Sequence, residues 1–334
     1  MKSNKISNGQ SHWTSYWEKG VLNSCAYDSQ TGNYQGAILD FWNKKIPEGK
    51  ELSLLDLCTG NGALLSLLLS AKGATSFGRL VGVDLAGIEP KWVKQLESDI
   101  QKKIDFLPNI SISNLPLDNE TFDVVTSQFG IEYSDIAQSV SDAARVLKTG
   151  GSLIAVIHNT NSIIVKNSKE EIKHIDWLLS NNGLKEISGK LLKFMAMLKN
   201  PQNVTKVTHD PIANEVRAEF NEKVEEAKKT ANISDCPDII YECLECIMLS
   251  FNTARNSGIK AGKNIQEQLW KELAYNKMRL ENLMSAAKSE ADLNNLFELF
   301  NENNLVKEDL YTIRENERDI AWGLVLKKNK GVYK

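Results

Sequence analysis

LSLLDLCTGNGA (Leu52–Ala63) predicts a buried strand that runs into a glycine turn and then into a helix. LVGVDLAG (Leu80–Gly87) predicts a second strand, which ends on Asp84. Gly60 and Gly62 permit positive φ and let a ligand approach the backbone closely. A carboxylate about twenty residues after such glycines, at the end of the second strand, can bind both hydroxyls of a ribose. The two stretches therefore predict a βαβ unit that binds a nucleoside.

The glycine spacing disfavours a dinucleotide. In the dinucleotide pattern G-x-G-x-x-G, counted from Gly60, the third glycine falls on Leu65. That glycine normally allows close packing of helix and strand over a pyrophosphate, so NAD and FAD fit this turn poorly.

The turn instead resembles motif I of class I S-adenosylmethionine (SAM)-dependent methyltransferases, which is an acidic residue followed by x-G-x-G-x-G. Asp56 is the acid, Gly60 and Gly62 are the last two glycines, and Cys58 replaces the first. Two later stretches also resemble this family: NLPLDNETFDVVTSQFGIEY at 114–133 and KTGGSLIAVIHN at 148–159. The resemblance covers about residues 50–160 and resumes at 305–328.

The resemblance implies an α/β fold with a Rossmann-like, seven-stranded, mostly parallel sheet whose last strand is antiparallel. Alternating apolar and helical stretches agree with a parallel sheet. Strands are predicted at 52–57, 80–84, about 104–107, 122–127 and 152–157, and helices at 63–71, 90–102 and 135–147. Thr149–Gly151 is interpreted as a helix stop, and Leu305–Ile313 and Arg318–Leu326 as strands joined by a turn at Arg314–Glu317.

Three parts of the chain are predicted. Residues 1–50 are predicted to form a helical, aromatic-rich N-terminal cap. Residues 51–159 and 304–330 are predicted to form the SAM-binding core, and 160–303 a helical insertion between the fifth and sixth strands. The insertion is far longer than one crossover requires, and apolar residues recur in it at helical spacing. We expect it to be a lid and substrate domain. The alternative is a stabilising or dimerising appendage, and a homodimer is therefore possible.

By position, the resemblance implies a set of cofactor-binding residues. Asp56 and the Gly60–Gly62 backbone would face the methionine part of SAM, Asp84 the ribose and Leu85 the adenine. The acidic position after the third strand falls on Ser111, with the Ile112 N–H beside it, and a backbone carbonyl at the end of the fourth strand would receive the amino group of SAM. The complete predicted set is Tyr34, Asp56, Cys58, Thr59, Gly60, Gly62, Asp84, Leu85, Ser111, Ile112, Ser127 and Gln128.

Residues that leave the carboxyl ends of the fourth and fifth strands are predicted to meet the acceptor. The catalytic candidates are His158, Glu132 and Tyr133. An unperturbed histidine titrates near neutral pH, so His158 is predicted to suit a general base; the alternative is that it orders its own loop. Glu132 can act as a base or bind a cationic amine, and the alternative is a loop-capping carboxylate.

The composition disfavours several classes of protein. The net charge of −3 and the pI of about 5.9 do not give the overall positive charge that is typical of nucleic-acid-binding proteins. The five cysteines do not form a disulfide framework, and Cys236, Cys243 and Cys246 are predicted to pack in a core, so no metal site is expected. The N-terminus lacks the apolar core of a secretory signal, and no apolar run is long enough to span a bilayer. We therefore expect a cytoplasmic protein.

The predicted function is SAM-dependent methyl transfer to an O- or N-nucleophile of a small molecule, in a pocket closed by the insertion. One alternative acceptor is a protein, a peptide or RNA, because lysines cluster in the insertion at Lys185, Lys190, Lys193 and Lys199. A solvated helix face explains the same lysines. A second alternative is a non-catalytic SAM-binding or structural protein, which would be expected to have lost the glycines or the ribose acid.

Overall fold

A computed structural model describes residues 12–24 and 32–330 of the chain. One seven-stranded sheet forms its centre, with the strand order β3-β2-β1-β4-β5-β7-β6. Strands β1 to β5 are parallel, and β7 pairs antiparallel with both β5 and β6. The strands are β1 Leu52–Leu57, β2 Phe77–Val83, β3 Ile104–Leu107, β4 Phe122–Gln128, β5 Leu147–His158, β6 Leu305–Glu315 and β7 Arg318–Lys328. The predicted fold class is confirmed.

Helices pack on both faces of this sheet and make up the segment between β5 and β6. Helices in the sheet-bearing part are α1 Gly36–Lys45, α2 Ala63–Lys72, α3 Ser98–Gln101, α4 Ile136–Val146 and α11 Glu290–Glu302. Helices between β5 and α11 are α5 Ile163–Leu179, α6 Leu184–Met197, α7 Val204–His209, α8 Pro211–Ile233, α9 Asp238–Ser257 and α10 Ile259–Ala286. Residues 12–17 are also helical.

The alternation of side chains along the strands explains the two cores. Leu55 of β1, Val125 of β4 and Leu153 of β5 stand opposite one another in register and share one face, where α4 and α11 pack. Their neighbours Leu54 and Val124 point to the opposite face, which is covered by α1 and α2. Because both faces are covered, the central strands are apolar on both sides. This arrangement brings the carboxyl ends of β1, β2, β4 and β5 to one edge of the sheet.

Two local predictions are wrong. The helix predicted at 90–102 is a 3₁₀ turn at Lys91–Gln95 followed by the short α3. Leu96 and Glu97 are extended between them, and the indole N–H of Trp92 bonds the carbonyl of Asn61. A contact with the glycine turn, rather than helical periodicity, therefore determines this segment.

The helix stop predicted at Thr149–Gly151 lies inside a strand. Helix α4 ends at Val146, and β5 begins at once at Leu147. Gly150 has a φ of 82°, and the pairing of β4 with β5 shifts register around it. The glycines therefore make a bulge at the start of β5 rather than a helix C-cap.

The terminal hairpin turns more tightly than predicted. Its turn is confined to Asn316 and Glu317, with φ of 48° and 64°. Two consecutive residues with positive φ suit the right-handed twist of a β-hairpin.

The chain divides into two compact units. The first comprises residues up to Val165 together with those from Asn282 onward, and the second is Lys166–Glu281. The second unit is entirely helical and has its own core, built around Ile175, Leu191, Phe220 and Phe251. The lid role predicted for the insertion stays a prediction. Among the described residues, no helix combines the length and apolarity that a membrane span requires.

Candidate functional site

The glycine turn follows β1 directly. Cys58, Gly60 and Gly62 have φ of 56°, 53° and 79°, so three of five consecutive residues are left-handed. Gly62 N donates to Thr59 O at 2.9 Å, which closes the turn before α2 begins. Left-handed conformations cost about 1–2 kcal/mol for residues that carry a Cβ, which explains the glycines.

Two buried carboxylates hold this turn. Asp84, just beyond β2, accepts the N–H of Gly60 on Oδ2 and that of Ala86 on Oδ1, both at 2.8 Å. Asp56 accepts the hydroxyls of Thr59 and Thr126, at 2.6 and 2.8 Å. A carboxylate offers about four acceptor positions, so each side chain retains acceptor capacity.

The N-terminal cap contacts the turn. The indole of Trp17 packs so closely on Gly60 that a Cβ there would lie 2.5 Å from the ring. Asn61 Nδ2 donates to the carbonyls of Trp17 and Val21, at 2.9 and 2.8 Å. Gly87 N donates to the Thr14 hydroxyl at 3.0 Å. The cap therefore contacts both the glycine turn and the loop after β2.

Tyr34, the aromatic residue predicted to contact the cofactor, is buried in the core under α1 and α2. Asn33 Nδ2 bonds the carbonyl of Ala63, the first residue of α2, at 2.7 Å. Tyr34 is thus adjacent in sequence to a residue anchored beside the turn.

The residues predicted to contact the adenine differ in their exposure to solvent. Leu85 is 37% exposed, whereas the side chain of Ile112 is buried in the sheet core. Ser111 Oγ accepts the N–H of Ser113 at 3.3 Å within its own loop. Phe106 of β3 lies against Gly62 and Gly82 and meets Trp92 edge to face.

At the end of β4, Ser127 and Gln128 face opposite sides. Ser127 Oγ donates to Leu57 O at 3.1 Å and accepts Ile131 N at 2.9 Å, which ties the loop after β4 to β1. Gln128 Oε1 accepts the indole N–H of Trp42. Gln128 Nε2 is buried without a hydrogen-bond partner among the described residues.

The three catalytic candidates are brought together. His158 Nε2 lies 2.9 Å from the hydroxyl of Tyr133, and His158 N donates to Glu132 Oε1 at 3.0 Å. The His158 ring stacks on Phe129, with centroids 4.4 Å apart, and Tyr133 also meets Trp13 edge to face. Within the described ranges, Glu132 Oε2 and Asn159 Nδ2 are buried and make no hydrogen bond.

Burial changes the protonation of these groups. It raises the pKa of Glu132 and that of Asp56 to about 7 each, against the partial opposition of hydrogen bonds. Burial also raises the pKa of Asp84 and lowers the pKa of His158 to about 3. His158 is therefore neutral at physiological pH, whereas Glu132 exchanges a proton near neutrality.

These groups fit SAM better than a phosphate-bearing cofactor. At Gly60 and Gly62 the turn carries no side chain, and two buried carboxylates, Asp56 and Asp84, stand at the ends of β1 and β2. Acidic groups suit ribose hydroxyls and an amino group, and they repel phosphate.

Comparison with known proteins agrees with this geometry. Residues 30–176 match the ubiE/COQ5 methyltransferase family. The predicted resemblance to class I SAM-dependent methyltransferases is confirmed. The match supports SAM as the cofactor, and it runs from before α1 through β5 into α5.

The individual relatives share 18–30% sequence identity with this chain, over part of its length. An uncharacterized 37.1 kDa protein in transposon Tn4556 of Streptomyces fradiae is 24% identical over 178 residues, 50% of this chain and 48% of that protein. A demethylmenaquinone methyltransferase of Oceanobacillus iheyensis is 30% identical over 103 residues, 30% of this chain and 42% of that enzyme. A SAM-dependent methyltransferase structure from Mesorhizobium loti is 18% identical, with a TM-score of 0.33, covering 38% of this chain and 56% of that one. The chain spans about half the length of the curated relatives it matches.

Several residues that surround the glycine turn and His158 were not assigned from the sequence. Trp17 and Thr14 contact the glycine turn or its neighbouring loop, and Phe129 stacks on His158. The density of aromatics before β1 was the available signal for Trp17. Asn61 was visible inside the glycine motif, but its bonds to the N-terminal cap depend on the tertiary fold.

The lysines that cluster in the insertion lie beside negatively charged side chains. Lys190 Nζ pairs with Glu186 at 2.7 Å, and Lys199 Nζ donates to the carbonyl of Ser257. Lys185 and Lys193 line a cavity of about 470 Å³ together with Glu186 and Trp270. A face that carries paired carboxylates is a weak electrostatic match for RNA.

Proposed function

We propose that this protein transfers the methyl group of SAM to an oxygen or nitrogen nucleophile of a small molecule. The observation that carries the proposal is a group of buried polar atoms at the ends of β4 and β5. Gln128 Nε2, Glu132 Oε2 and Asn159 Nδ2 have no hydrogen-bond partner among the described residues. Buried polar atoms are rarely left unsatisfied in proteins, so this group fits a polar ligand.

The glycine turn would hold the cofactor. When bound, SAM supplies a methyl group already activated on a sulfonium. Asp84 would accept the ribose hydroxyls while it keeps the N–H groups of Gly60 and Ala86, and Asp56 would fix the turn through Thr59. The task of the protein is then chiefly to align the acceptor, which lowers the entropic part of the barrier.

Glu132 is our candidate for the proton acceptor. Its pKa of about 7 lies where a general base works well at physiological pH. Oε1 accepts His158 N, and Oε2 makes no hydrogen bond within the described part of the chain. His158 is fully buried and neutral, so its Nε2 can accept the hydroxyl hydrogen of Tyr133. We assign His158 the role of orienting Tyr133, which would position the acceptor.

Transfer of label from methyl-labelled SAM tests the acceptor class. The protein is incubated with labelled SAM and a cell extract separated by size into small molecules and macromolecules. We expect label in the small-molecule fraction. Label in protein or RNA alone would favour the macromolecular alternative, and no consumption of SAM with either fraction would contradict the proposed activity.

Asp84→Asn is expected to weaken SAM binding about 10- to 100-fold, because a charge-assisted hydrogen bond contributes about 1.5–3 kcal/mol. Calorimetric titration with SAM measures the change. Asp105→Asn, at an exposed aspartate of β3 that pairs with Arg79, is the matched control and should bind SAM as the unchanged protein does. Equal affinity in both variants would remove Asp84 from the cofactor site.

Tyr133→Phe is expected to lower kcat about tenfold or more without changing the affinity for SAM, because it removes only the hydroxyl that meets His158. Steady-state kinetics and calorimetry measure the two effects separately. Tyr241→Phe, at an exposed tyrosine of α9, controls for loss of a hydroxyl elsewhere. A loss of SAM affinity without loss of kcat would place Tyr133 on the cofactor side.

A further inference from the structure

A cluster of metal-ligating side chains lies in the second unit, within the helical insertion. Glu170 and His174 are four residues apart on α5 and therefore share one face of the helix. Cys236 comes from the loop between α8 and α9, 62 residues after His174 in the sequence. One ligand atom of each residue lies within 4.8 Å of the other two.

A hydroxyl stands among the three ligand atoms. Ser234 Oγ lies 2.9 Å from His174 Nε2 and 3.9 Å from Cys236 Sγ, and it donates to Glu170 Oε1. Cys236 N donates to the same hydroxyl at 3.0 Å, which fixes the loop geometry. An atom that contacts all three ligands marks the position from which a single cation would reach them.

The surroundings favour a cation. His174 is almost fully buried, whereas Glu170 and Cys236 are partly exposed and leave a route from solvent. A bound cation would offset the negative charge of Glu170 and of the adjacent carboxylates Glu171 and Asp235. The thiol proton of Cys236 would pass to solvent as the thiolate binds.

We propose that Glu170, His174 and Cys236 bind one zinc ion or a similar borderline transition metal. Thiolate, imidazole and carboxylate are the three zinc ligand types in proteins, and a mixed set of them disfavours Mg²⁺ and Ca²⁺, which prefer oxygen. Three protein ligands leave a fourth position for water. The ion would fasten the α8–α9 loop to α5. This inference does not depend on the proposed methyl transfer.

Titration of the full, reduced chain with Co²⁺ tests the site, because cobalt reports a bound thiolate through a sulfur-to-metal charge-transfer band. We expect one cobalt per chain, a band in the near ultraviolet and displacement by Zn²⁺. Cys236→Ser should abolish the band, and Glu170→Gln and His174→Ala should each weaken binding about tenfold or more.

Cys246→Ser is the matched control, since Cys246 is a partly exposed cysteine of α9 outside the cluster. It should retain both the band and the stoichiometry. Circular dichroism checks that each variant folds. If Cys236→Ser does not fold, the cobalt affinity of Glu170→Gln tests the site instead, because Glu170 is partly exposed and its substitution perturbs the fold less. Absence of a cobalt band in the unchanged protein, or unchanged cobalt affinity in both Glu170→Gln and His174→Ala, would overturn the proposal.

Discussion

Glu132→Gln is expected to lower the rate of methyl transfer about a hundredfold or more, and to make the protein more stable above pH 7. A general base contributes about 10²- to 10⁴-fold to a rate, and glutamine cannot accept a proton. The amide keeps an oxygen for His158 N, so the backbone contact of Oε1 is preserved. The variant therefore removes the charge and little else.

The expected gain in stability follows from the raised pKa. Burial raises the pKa of Glu132 from 4.5 to about 7, so the folded state holds the proton more tightly than the unfolded state. Below about pH 4.5 both states are protonated and ionisation has no cost. As pH rises towards 7 the unfolded state ionises first, and the carboxylate then destabilises the fold by up to about 3 kcal/mol.

Thermal unfolding at pH 5 and pH 8 and the pH profile of kcat measure the two effects. Glu132→Gln should unfold at a higher temperature than the unchanged protein at pH 8, with a smaller difference at pH 5. The rise of kcat with pH near 7 should disappear. Glu308→Gln, at an exposed position of β6, controls for the loss of one negative charge. Retained activity with an unchanged pH profile would rule out Glu132 as the base.

Gly62→Ala is expected to destabilise the protein by about 2–4 kcal/mol and to weaken SAM binding more than tenfold. Left-handed φ costs a residue with a Cβ about 1–2 kcal/mol, and overpacking costs about 1–3 kcal/mol. The new Cβ would lie 2.6 Å from the Phe106 ring. That ring also lies against Gly82 and Trp92, so it has little room to retreat.

Gly150→Ala separates the cost of the left-handed φ from the cost of overpacking. Gly150 has a φ of 82°, close to the 79° of Gly62, but in the described part of the chain no heavy atom lies within 4 Å of its Cβ position. The Gly150→Ala substitution should lower the free energy of unfolding by about 1–2 kcal/mol and leave SAM binding unchanged. Chemical denaturation and calorimetry on both variants measure the difference. Equal losses of stability with intact SAM binding would show that packing around the glycine turn is unimportant.

The sheet was predictable because its strands are signalled locally. Short, mainly apolar stretches ended by turn residues located β1, β3 and β4 closely. The spacing from Gly60 to Asp84 indicated that the two lie at adjacent strand ends. Strand β5 was predicted too short because its glycine bulge resembles a helix stop in the sequence. The prediction of a helix at 90–102 was wrong because the Trp92 indole donates to the carbonyl of Asn61, which is distant in sequence. The periodicity of apolar residues does not indicate such a contact.

The candidate site shows the same division. Strand ends gave Glu132 and His158 as neighbours, since parallel strands β4 and β5 bring their carboxyl ends together. The sequence did not reveal that burial would keep His158 neutral and move the pKa of Glu132 to about 7. Those properties depend on how completely the surrounding residues exclude water. The cluster of Glu170, His174 and Cys236 was also not visible, because its members come together only when α5 packs beside the α8–α9 loop.

Calorimetric titration of the full chain with SAM, and with S-adenosylhomocysteine as competitor, tests whether the glycine turn and Asp84 form a SAM site. We predict binding of one SAM per chain, competition by S-adenosylhomocysteine and weaker binding of both in Asp84→Asn. No detectable binding of either compound by the folded protein would contradict this assignment.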